Sequence, residues 1–318
     1  MTISITRRRT LFAAAALAAA GAQKATASPP LLAPLTLSYQ ESSVLLQVLR
    51  SRDTLGSPLA ALGFTPVWSQ LGHSLAELGQ VIFQGDVAES APVMIHQSLP
   101  NLILYAAEGP SPHAVGIVVR KDGGITSVGM LKGKRVAVGK GGSSLDLLLR
   151  SLQNNGLSLA DIETIYLPEA ASGAAFSSGH VDAWATYDPF LSSVEDNSQT
   201  RLLTDGSEQG LRYERYYMVD AAFARSNPLV VKAIFDGLVE GAAWINAHPE
   251  TAATLISGLW QNMPLDAVRR INSHRTYAVR AIDDTDIPVL EQIAGRYRAA
   301  KILPMDPHIG SIGVWRAA

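Results

Sequence analysis

The chain has 318 residues, of which 47% are hydrophobic and 17% charged, which is enough apolar material for one large or two ordinary folded domains. Its formal net charge of −2 gives no reason to expect nucleic-acid binding. The sequence contains no cysteine, which excludes disulfides, thiolate catalysis, cysteine-ligated zinc or iron–sulfur centres and a lipid-modified cysteine.

The first 27 residues have the layout of a secretory leader. Residues 7–9 are arginines and an apolar run follows at 11–20. The small residues at 25–27 predict cleavage before Ser28, and the arginine pair favours the twin-arginine route, with an ordinary basic leader as the alternative. The apolar run is too short to cross ~30 Å of hydrocarbon, so we expect no membrane insertion. Removing these 27 residues and their four positive charges leaves 291 residues with a net charge of −6.

Beyond the leader, apolar runs of strand length alternate with helical patterns, which predicts an α/β protein. The first series predicts strands at 35–39, 65–68, 102–106 and 116–119, and helices at 43–50 and 74–83. The second series predicts strands at 135–138, 162–167 and 181–186, and helices at 145–155, 170–178 and from 189 onward. After residue 216 the pattern becomes helical, with a helix at 228–247 and further starts at 249, 264 and 286. We therefore predict two α/β lobes, between which the chain crosses near 115–120 and again near 216–220.

Residue types that often carry catalysis are present, but not in the spacing that catalysis requires. The seven histidines are isolated, so no metal site is predicted, and the sequence has no G-x-S-x-G nucleophile motif. Residues 129–135 are one residue short of a phosphate-binding loop and have Arg135 in place of the required Ser or Thr. Residues 139–144 lack the third glycine of the dinucleotide fingerprint. We predict no catalytic residue and no cofactor.

A glycine-serine segment between a predicted strand and a predicted helix is the main candidate for binding. Gly142, Ser143 and Ser144 would place free backbone N–H groups and two hydroxyls at a helix N-terminus, which suits a sulfonate, phosphate, carboxylate or nitrate group. The alternative is that one serine only caps the helix. Residues 40–43 offer a weaker version of the same arrangement.

Two aromatic residues near the end of a predicted strand, Trp184 and Tyr187, could form an apolar wall of a ligand pocket. Packing in the core is the alternative for both residues.

Several segments together resemble the aliphatic sulfonate-binding proteins of ABC importers, a group that also includes taurine, nitrate and thiamine-precursor binders. The resemblance extends from about residue 35 to residue 315. The segments that carry it are Tyr39-Gln40, 105–112 (YAAEGPSP), 131–138 (LKGKRVAV), 140–144 (KGGSS), 181–190 (VDAWATYDPF) and 244–250 (WINAHPE).

The resemblance implies a type II periplasmic-binding-protein fold, in which two α/β lobes joined by two hinge crossovers hold a ligand between them. Lobe 1 would comprise residues 28–117 and 218–318, and lobe 2 residues 118–217. The implied ligand-binding residues are Gln40, Ser42 and Ser90 in lobe 1, and Gly142, Ser143, Ser144, Trp184, Tyr187 and Asp188 in lobe 2.

The resemblance also implies a function and a location. The protein would be a monomeric periplasmic receptor without a cofactor, which captures a small organic anion of the sulfonate class. It would deliver that anion to the permease subunits of an ABC importer and their ATPase. Closure of the lobes would present the loaded form to the permease.

One segment departs from the family pattern. Residues 85–92 (GDVAESAP) have Ala88 where the family usually has a second acid, and the segment is about five residues shorter than in the family. Glu89 would repel an anionic ligand unless its side chain points away from it. The departure leaves open which anion is bound.

Two other functions remain open at this point. The first is an enzyme on the same two-lobe scaffold, such as a lyase or a pyrimidine-precursor synthase, because a fold alone does not fix a function. The second is a two-lobe sensor that signals through a partner protein.

Overall fold

The structure, a computed structural model, describes residues 32–40, 42–71, 82–195 and 197–316. The predicted leader, its cleavage before Ser28 and its twin-arginine type lie outside these residues, as does nearly all of the helix predicted at 74–83. Phe83 itself is not helical, because it begins a strand. Within the described residues, no helix is both long enough and apolar enough to cross a membrane.

The described residues form a mixed α/β fold with two sheets, as predicted. The strands of the first sheet are β1 (Ala33–Tyr39), β2 (Phe64–Gln70), β3 (Phe83–Ala88), β4 (Leu102–Glu108), β10 (Arg215–Asp220) and β11 (Val279–Arg280), in the spatial order β11-β4-β10-β3-β1-β2. The strands of the second sheet are β5 (Val115–Arg120), β6 (Arg135–Val138), β7 (Glu163–Tyr166), β8 (Ala183–Tyr187) and β9 (Thr200–Asp205), in the order β7-β6-β8-β5-β9. In both sheets, parallel pairs on one side adjoin antiparallel pairs on the other.

Helices cover the sheets and form most of the C-terminal third. Their bounds are α1 (Val44–Ser51), α2 (Gly56–Ala61), α3 (Ser90–Ile95), α4 (Ser143–Asn154), α5 (Glu169–Ser177), α6 (Phe190–Glu195), α7 (Ala221–Ser226), α8 (Pro228–Ala247), α9 (Pro249–Leu259), α10 (Leu265–His274) and α11 (Asp286–Ala299).

The sequence predicted most of these elements within one or two residues, including β6 and α8 at their observed limits. The prediction missed the strands β3, β9 and β11 and the short helices α2, α3 and α7. The expectation of a helical pattern directly after residue 216 was wrong, because that segment is the central strand β10. β10 lies between β3 and β4, is buried on both faces and has charged residues at both ends, so it shows no alternation of polar and apolar residues.

The apolar stripe of α8 packs as its spacing predicts. Val230, Ile234 and Leu238 are all at most 3% exposed. At Gly241 a Cβ atom would clash with the side chain of Leu49, so glycine allows α1 to approach α8 closely.

The chain passes from the first sheet to the second between Glu108 and Val115, and it returns between Asp205 and Arg215. Helix α11, which follows the last strand of the first sheet, packs against both α3 and α4. One continuous apolar core therefore contains residues of both sheets. The lobe limits of 28–117 with 218–318 and 118–217 remain a prediction.

Candidate ligand-binding site

Most of the predicted ligand-binding residues lie near the carboxyl ends of parallel strands. Gln40 and Ser42 follow β1 and Ser90 follows β3, whereas Ser143 follows β6. Tyr187 is the last residue of β8 and Asp188 follows it directly, whereas Trp184 is the second residue of that strand. In open α/β sheets, this edge is where ligands bind.

The loop before α4 has the backbone that the sequence suggested. Gly141 and Gly142 have φ angles of +95° and +88°, which other residues adopt only with strain. The Gly142 carbonyl accepts a hydrogen bond of 2.8 Å from the Tyr297 hydroxyl of α11. Ser143 and Ser144 are 2% and 1% exposed and form the first positions of α4.

The hydroxyls of these two serines contact polar groups of the protein. Ser143 hydrogen-bonds the hydroxyl of Tyr213, and burial, the largest influence on that group, raises the pKa of Tyr213. Ser144 hydrogen-bonds the carboxylate of Glu169, the first residue of α5. The N-terminal end of α4 therefore already faces a carboxyl group of the chain itself.

Glu169 collects hydrogen bonds from several groups near α4. Its Oε2 accepts from Trp184 Nε1 at 3.1 Å and from Thr186 Oγ1 at 2.9 Å, in addition to the contact with Ser144. Burial raises the pKa of Glu169 to about 7, although these hydrogen bonds act in the opposite direction. The sequence prediction did not include this residue, whose only local signal is its position after Pro168 at a helix start.

Trp184 and Tyr187 are held by aromatic neighbours. Trp184 is 3% exposed, and its ring lies 6.3 Å from Phe176 and 6.5 Å from Phe190. The Tyr187 ring meets Phe190 edge-on at 5.9 Å, and burial raises the pKa of its hydroxyl. Core packing, the alternative reading of both residues, therefore accounts for the contacts that each ring makes.

Asp188 has protein partners on both carboxylate oxygens. Oδ1 accepts from the Ser192 backbone N–H at 2.9 Å and from the Ser192 hydroxyl at 2.6 Å, while Oδ2 lies 2.8 Å from His274 Nδ1. The residue is 2% exposed. These contacts connect the start of α6 to the end of α10.

The remaining predicted residues lie at the starts of α1 and α3. The backbone N–H of Gln40 donates to the Ser43 hydroxyl at 3.0 Å, and the Ser43 N–H donates back to the Gln40 carbonyl at 2.9 Å. Ser42 is half-buried and Ser90 is 1% exposed. Ligand contact by any of the nine predicted residues remains a prediction.

Glu89, which the sequence marked as a possible source of repulsion, is buried against the backbone. Its Oε2 accepts from the Glu214 N–H at 2.7 Å. Burial, with the nearby Asp146 charge, raises the pKa of Glu89 to about 8. Its side chain is therefore mostly neutral at pH 7, which removes most of the expected repulsion.

A buried charged cluster, which the sequence prediction missed, lies at the same edge of the first sheet. Asp86 of β3 accepts from Arg215 Nε at 2.6 Å and from Arg275 Nη2 at 3.3 Å. The side chains of Asp86 and Arg275 are 1% exposed and that of Arg215 is 5% exposed. Asp86 also has a φ angle of +53°, an uncommon value for a residue other than glycine.

Glu108, the last residue of β4, completes this cluster. Arg215 pairs in register with Glu108 across β10 and β4, and Tyr217 donates a hydrogen bond to Glu108 Oε1. Burial, and secondarily the charge of Asp86, raises the pKa of Glu108. We refer to Asp86, Glu108, Arg215 and Arg275 as the arginine cluster.

The arginine cluster is linked to α4 by a chain of hydrogen bonds. Arg215 Nη2 donates to the Tyr213 hydroxyl at 3.0 Å, and Tyr213 in turn contacts Ser143. The guanidinium of Arg215 also lies 4.8 Å from the centre of the Tyr213 ring. The first sheet and the start of α4 in the second half of the fold therefore meet at Tyr213.

Comparisons with known proteins agree on one group of relatives. A family model described as NMT1/THI5 like matches residues 105–252. A protein of Escherichia coli (strain K12) named "Putative aliphatic sulfonates-binding protein" is 27% identical over 260 residues, which are 81% of this chain and 81% of that protein. The resemblance predicted from the sequence is confirmed.

Solved structures support the same relationship. The alkanesulfonate-binding protein of Xanthomonas axonopodis pv. citri bound to MOPS matches with a TM-score of 0.81 and 27% identity, over 90% of this chain and 99% of that one. The periplasmic aliphatic sulphonate binding protein of Escherichia coli matches with a TM-score of 0.82 and 24% identity, over 92% and 94% of the two chains. The chain therefore has the fold of these binding proteins, as predicted.

Proposed function

We propose that the protein is a receptor that captures an aliphatic sulfonate, or a closely related organic anion, and delivers it to an ABC importer. The observation that carries this proposal is the match to the MOPS-bound alkanesulfonate-binding protein, which covers 99% of that chain at 27% identity. MOPS is itself a sulfonate, so the shared fold accommodates that head group in a relative.

Features of this chain support the same ligand class. The N-terminal end of α4, which carries the partial positive charge of a helix terminus, contacts Tyr213 through Ser143, and Tyr213 accepts a hydrogen bond from Arg215 of the first sheet. Two buried arginines lie at that junction. An anion is the ligand that such a set of donors favours.

The proposed location and partners follow from the relatives. We place the protein in the periplasm after export by a cleaved, twin-arginine type leader, as a monomer that meets the permease subunits and their ATPase. Lobe closure about the two crossovers would signal the loaded state, with lobe limits close to 28–117 with 218–318 and 118–217. No cofactor is part of this proposal.

We also propose that the protein acts by binding and not by catalysis. Its fold alone does not decide this point, because a desulfurization enzyme matches with a TM-score of 0.65 at 16% identity. The curated relatives are named as binding proteins. In addition, the absence of cysteine from the sequence excludes any thiolate mechanism.

Calorimetric titration of the mature protein tests the proposal. The protein is first unfolded and refolded to remove ligands retained from the cells, and native mass spectrometry checks the result. Ethane-, butane- and octanesulfonate, taurine and MOPS are then compared with butanoate and butylammonium. We expect at least one sulfonate to bind. At a concentration of 100 times its Kd, that sulfonate should add roughly 2.7 kcal/mol to the free energy of unfolding and so raise the unfolding temperature. Binding of butylammonium or butanoate without binding of any sulfonate would refute the assignment.

A further inference from the structure

The arginine cluster contains hydrogen-bond donors that the protein does not use. Arg215 Nη1 and both Nε and Nη1 of Arg275 are buried and make no hydrogen bond of standard geometry among the described residues, although the Tyr277 hydroxyl, which donates to Asn272, also contacts the Arg275 guanidinium. Buried guanidinium groups nearly always have acceptors, because an unsatisfied charged donor costs stability. Three such nitrogens on two adjacent side chains therefore indicate a missing acceptor that the folded chain does not supply.

The charges of the cluster point to an anion as that acceptor. Arg215 and Arg275 share one carboxylate, Asp86, to which both donate. The other acid, Glu108, is buried and accepts from Tyr217, and its second oxygen, Oε2, also has no partner within the described part of the chain. A protonated Glu108 would leave the cluster with one net positive charge and would provide an O–H donor at Oε2.

We propose that Arg215 and Arg275 bind the head group of the ligand as a tetrahedral oxyanion, to which the Glu108 carboxyl, when it holds a proton, donates from Oε2. The inference rests on the proposed function and assigns its head-group site to residues outside the nine predicted from the sequence. A sulfonate has three oxygens that point in different directions, so it can accept from two guanidinium groups and a carboxylic acid at once. A planar carboxylate has two oxygens and satisfies fewer of these donors.

The same arrangement couples the ligand to the second half of the fold. Arg215 also donates to Tyr213, which contacts Ser143 at the start of α4. An anion that orients Arg215 therefore also orients the residue that meets α4. Because the side chains of both arginines are almost fully buried, a ligand would reach them only after the residues that cover them move apart.

The test measures the affinity of butanesulfonate, inorganic sulfate and butanoate for wild-type protein and variants by calorimetry. Arg275→Lys and Arg215→Lys each keep a positive charge beside Asp86 but remove the unpartnered guanidinium donors. We expect each to weaken butanesulfonate binding roughly 10- to 100-fold. Arg135→Lys is the matched control, because Arg135 makes a two-pronged ion pair with Asp182 in the second sheet, and it should bind within about twofold of wild type.

Glu108→Gln provides a second variant that does not disturb the arginines. Glutamine can still accept from Tyr217 and offers an N–H donor at the position of Oε2, so the variant should bind butanesulfonate at least as tightly as wild type. Unliganded thermal unfolding and circular dichroism check that each variant folds. If an arginine variant does not fold, nitrogen-15 spectra of the wild-type arginine Nε groups replace it, and Arg275 Nε should shift on addition of butanesulfonate.

The possible results separate the two proposals. Wild-type affinity in both arginine variants, an unshifted Arg275 Nε signal, or weaker binding by Glu108→Gln would overturn the head-group assignment while leaving the receptor function intact. Failure of wild-type protein to bind any sulfonate would refute the receptor function itself. Sulfate binding that depends on both arginines, together with weak butanoate binding, would support a site for tetrahedral oxyanions in general.

Discussion

Replacing Glu169 by glutamine should change how the stability of the protein depends on pH. Burial raises the pKa of Glu169 from 4.5 to about 7 in the folded protein. Between these two values the folded chain holds a proton that the unfolded chain releases, so the free energy of unfolding falls as the pH rises through this window. The full effect corresponds to roughly 3 kcal/mol, as an upper limit. Glutamine has no such proton, yet its oxygen can still accept from Trp184 and Thr186.

Urea unfolding, followed by tryptophan fluorescence from pH 4.5 to about 8.5, measures this difference. Relative to wild type, we expect Glu169→Gln to gain up to roughly 3 kcal/mol as the pH rises from 4.5 to 7, and to gain little above that. Glu250→Gln is the control, because Arg269 lowers the pKa of that exposed carboxyl and its titration falls below this range. Parallel stability profiles of wild type and Glu169→Gln across the whole range would refute the reasoning.

Three further changes test contacts around the site. Arg296→Met leaves the buried Asp146 without its 2.7 Å ion pair and should lower the free energy of unfolding in urea by about 3–5 kcal/mol. Adding Asp146→Asn should restore part of this loss, and an unchanged urea midpoint in Arg296→Met would contradict the pairing. Burial acts to lower the pKa of His274, but the hydrogen bond that its ring donates to Asp188 outweighs burial, so the net pKa is raised. The stabilisation is therefore present below pH 6.5 and lost as the pH rises through the raised value. Asp188→Asn should lower that pKa in an NMR titration, and no change would exclude the ion pair. Gly142→Ala should destabilise the protein by roughly 1–3 kcal/mol, measured by thermal unfolding, because alanine is strained at a φ of +88°. The added Cβ meets no neighbouring atom within 4 Å, so the backbone strain alone is tested. Unaltered stability would show that the loop relaxes.

The parts of the fold that the sequence predicted well are those specified by neighbouring residues. Helix α8 follows from a 3.6-residue stripe between Pro228 and the His248-Pro249 break, and the start of α4 follows from glycines before two serines. Strand β10 was missed because it is buried on both faces, so it has neither the alternation of an exposed strand nor the stripe of a helix.

The arginine cluster could not be predicted for a different reason. Arg275 lies 189 residues from Asp86 in the sequence, in the segment between α10 and β11. Only the assembly of β11, β4, β10 and β3 into one sheet brings the two residues together. Nothing local distinguishes Arg215 from an exposed arginine at a strand end. The sequence therefore identified the α4 end of the candidate site, where the signal is local, and missed the opposite side, where it depends on tertiary structure.

The formal charge count also misjudges the region between the sheets. Removal of the leader gives a net charge of −6, which by itself is unfavourable for binding an anion. At physiological salt, however, charges more than about 8 Å away are largely screened, so nearby groups decide the local potential. Burial raises the pKa of Glu89 to about 8, that of Glu169 to about 7 and that of Glu108, and so favours the neutral forms of these acids. The two buried arginines share one carboxylate, Asp86, so an overall acidic protein can present a locally positive site to its ligand.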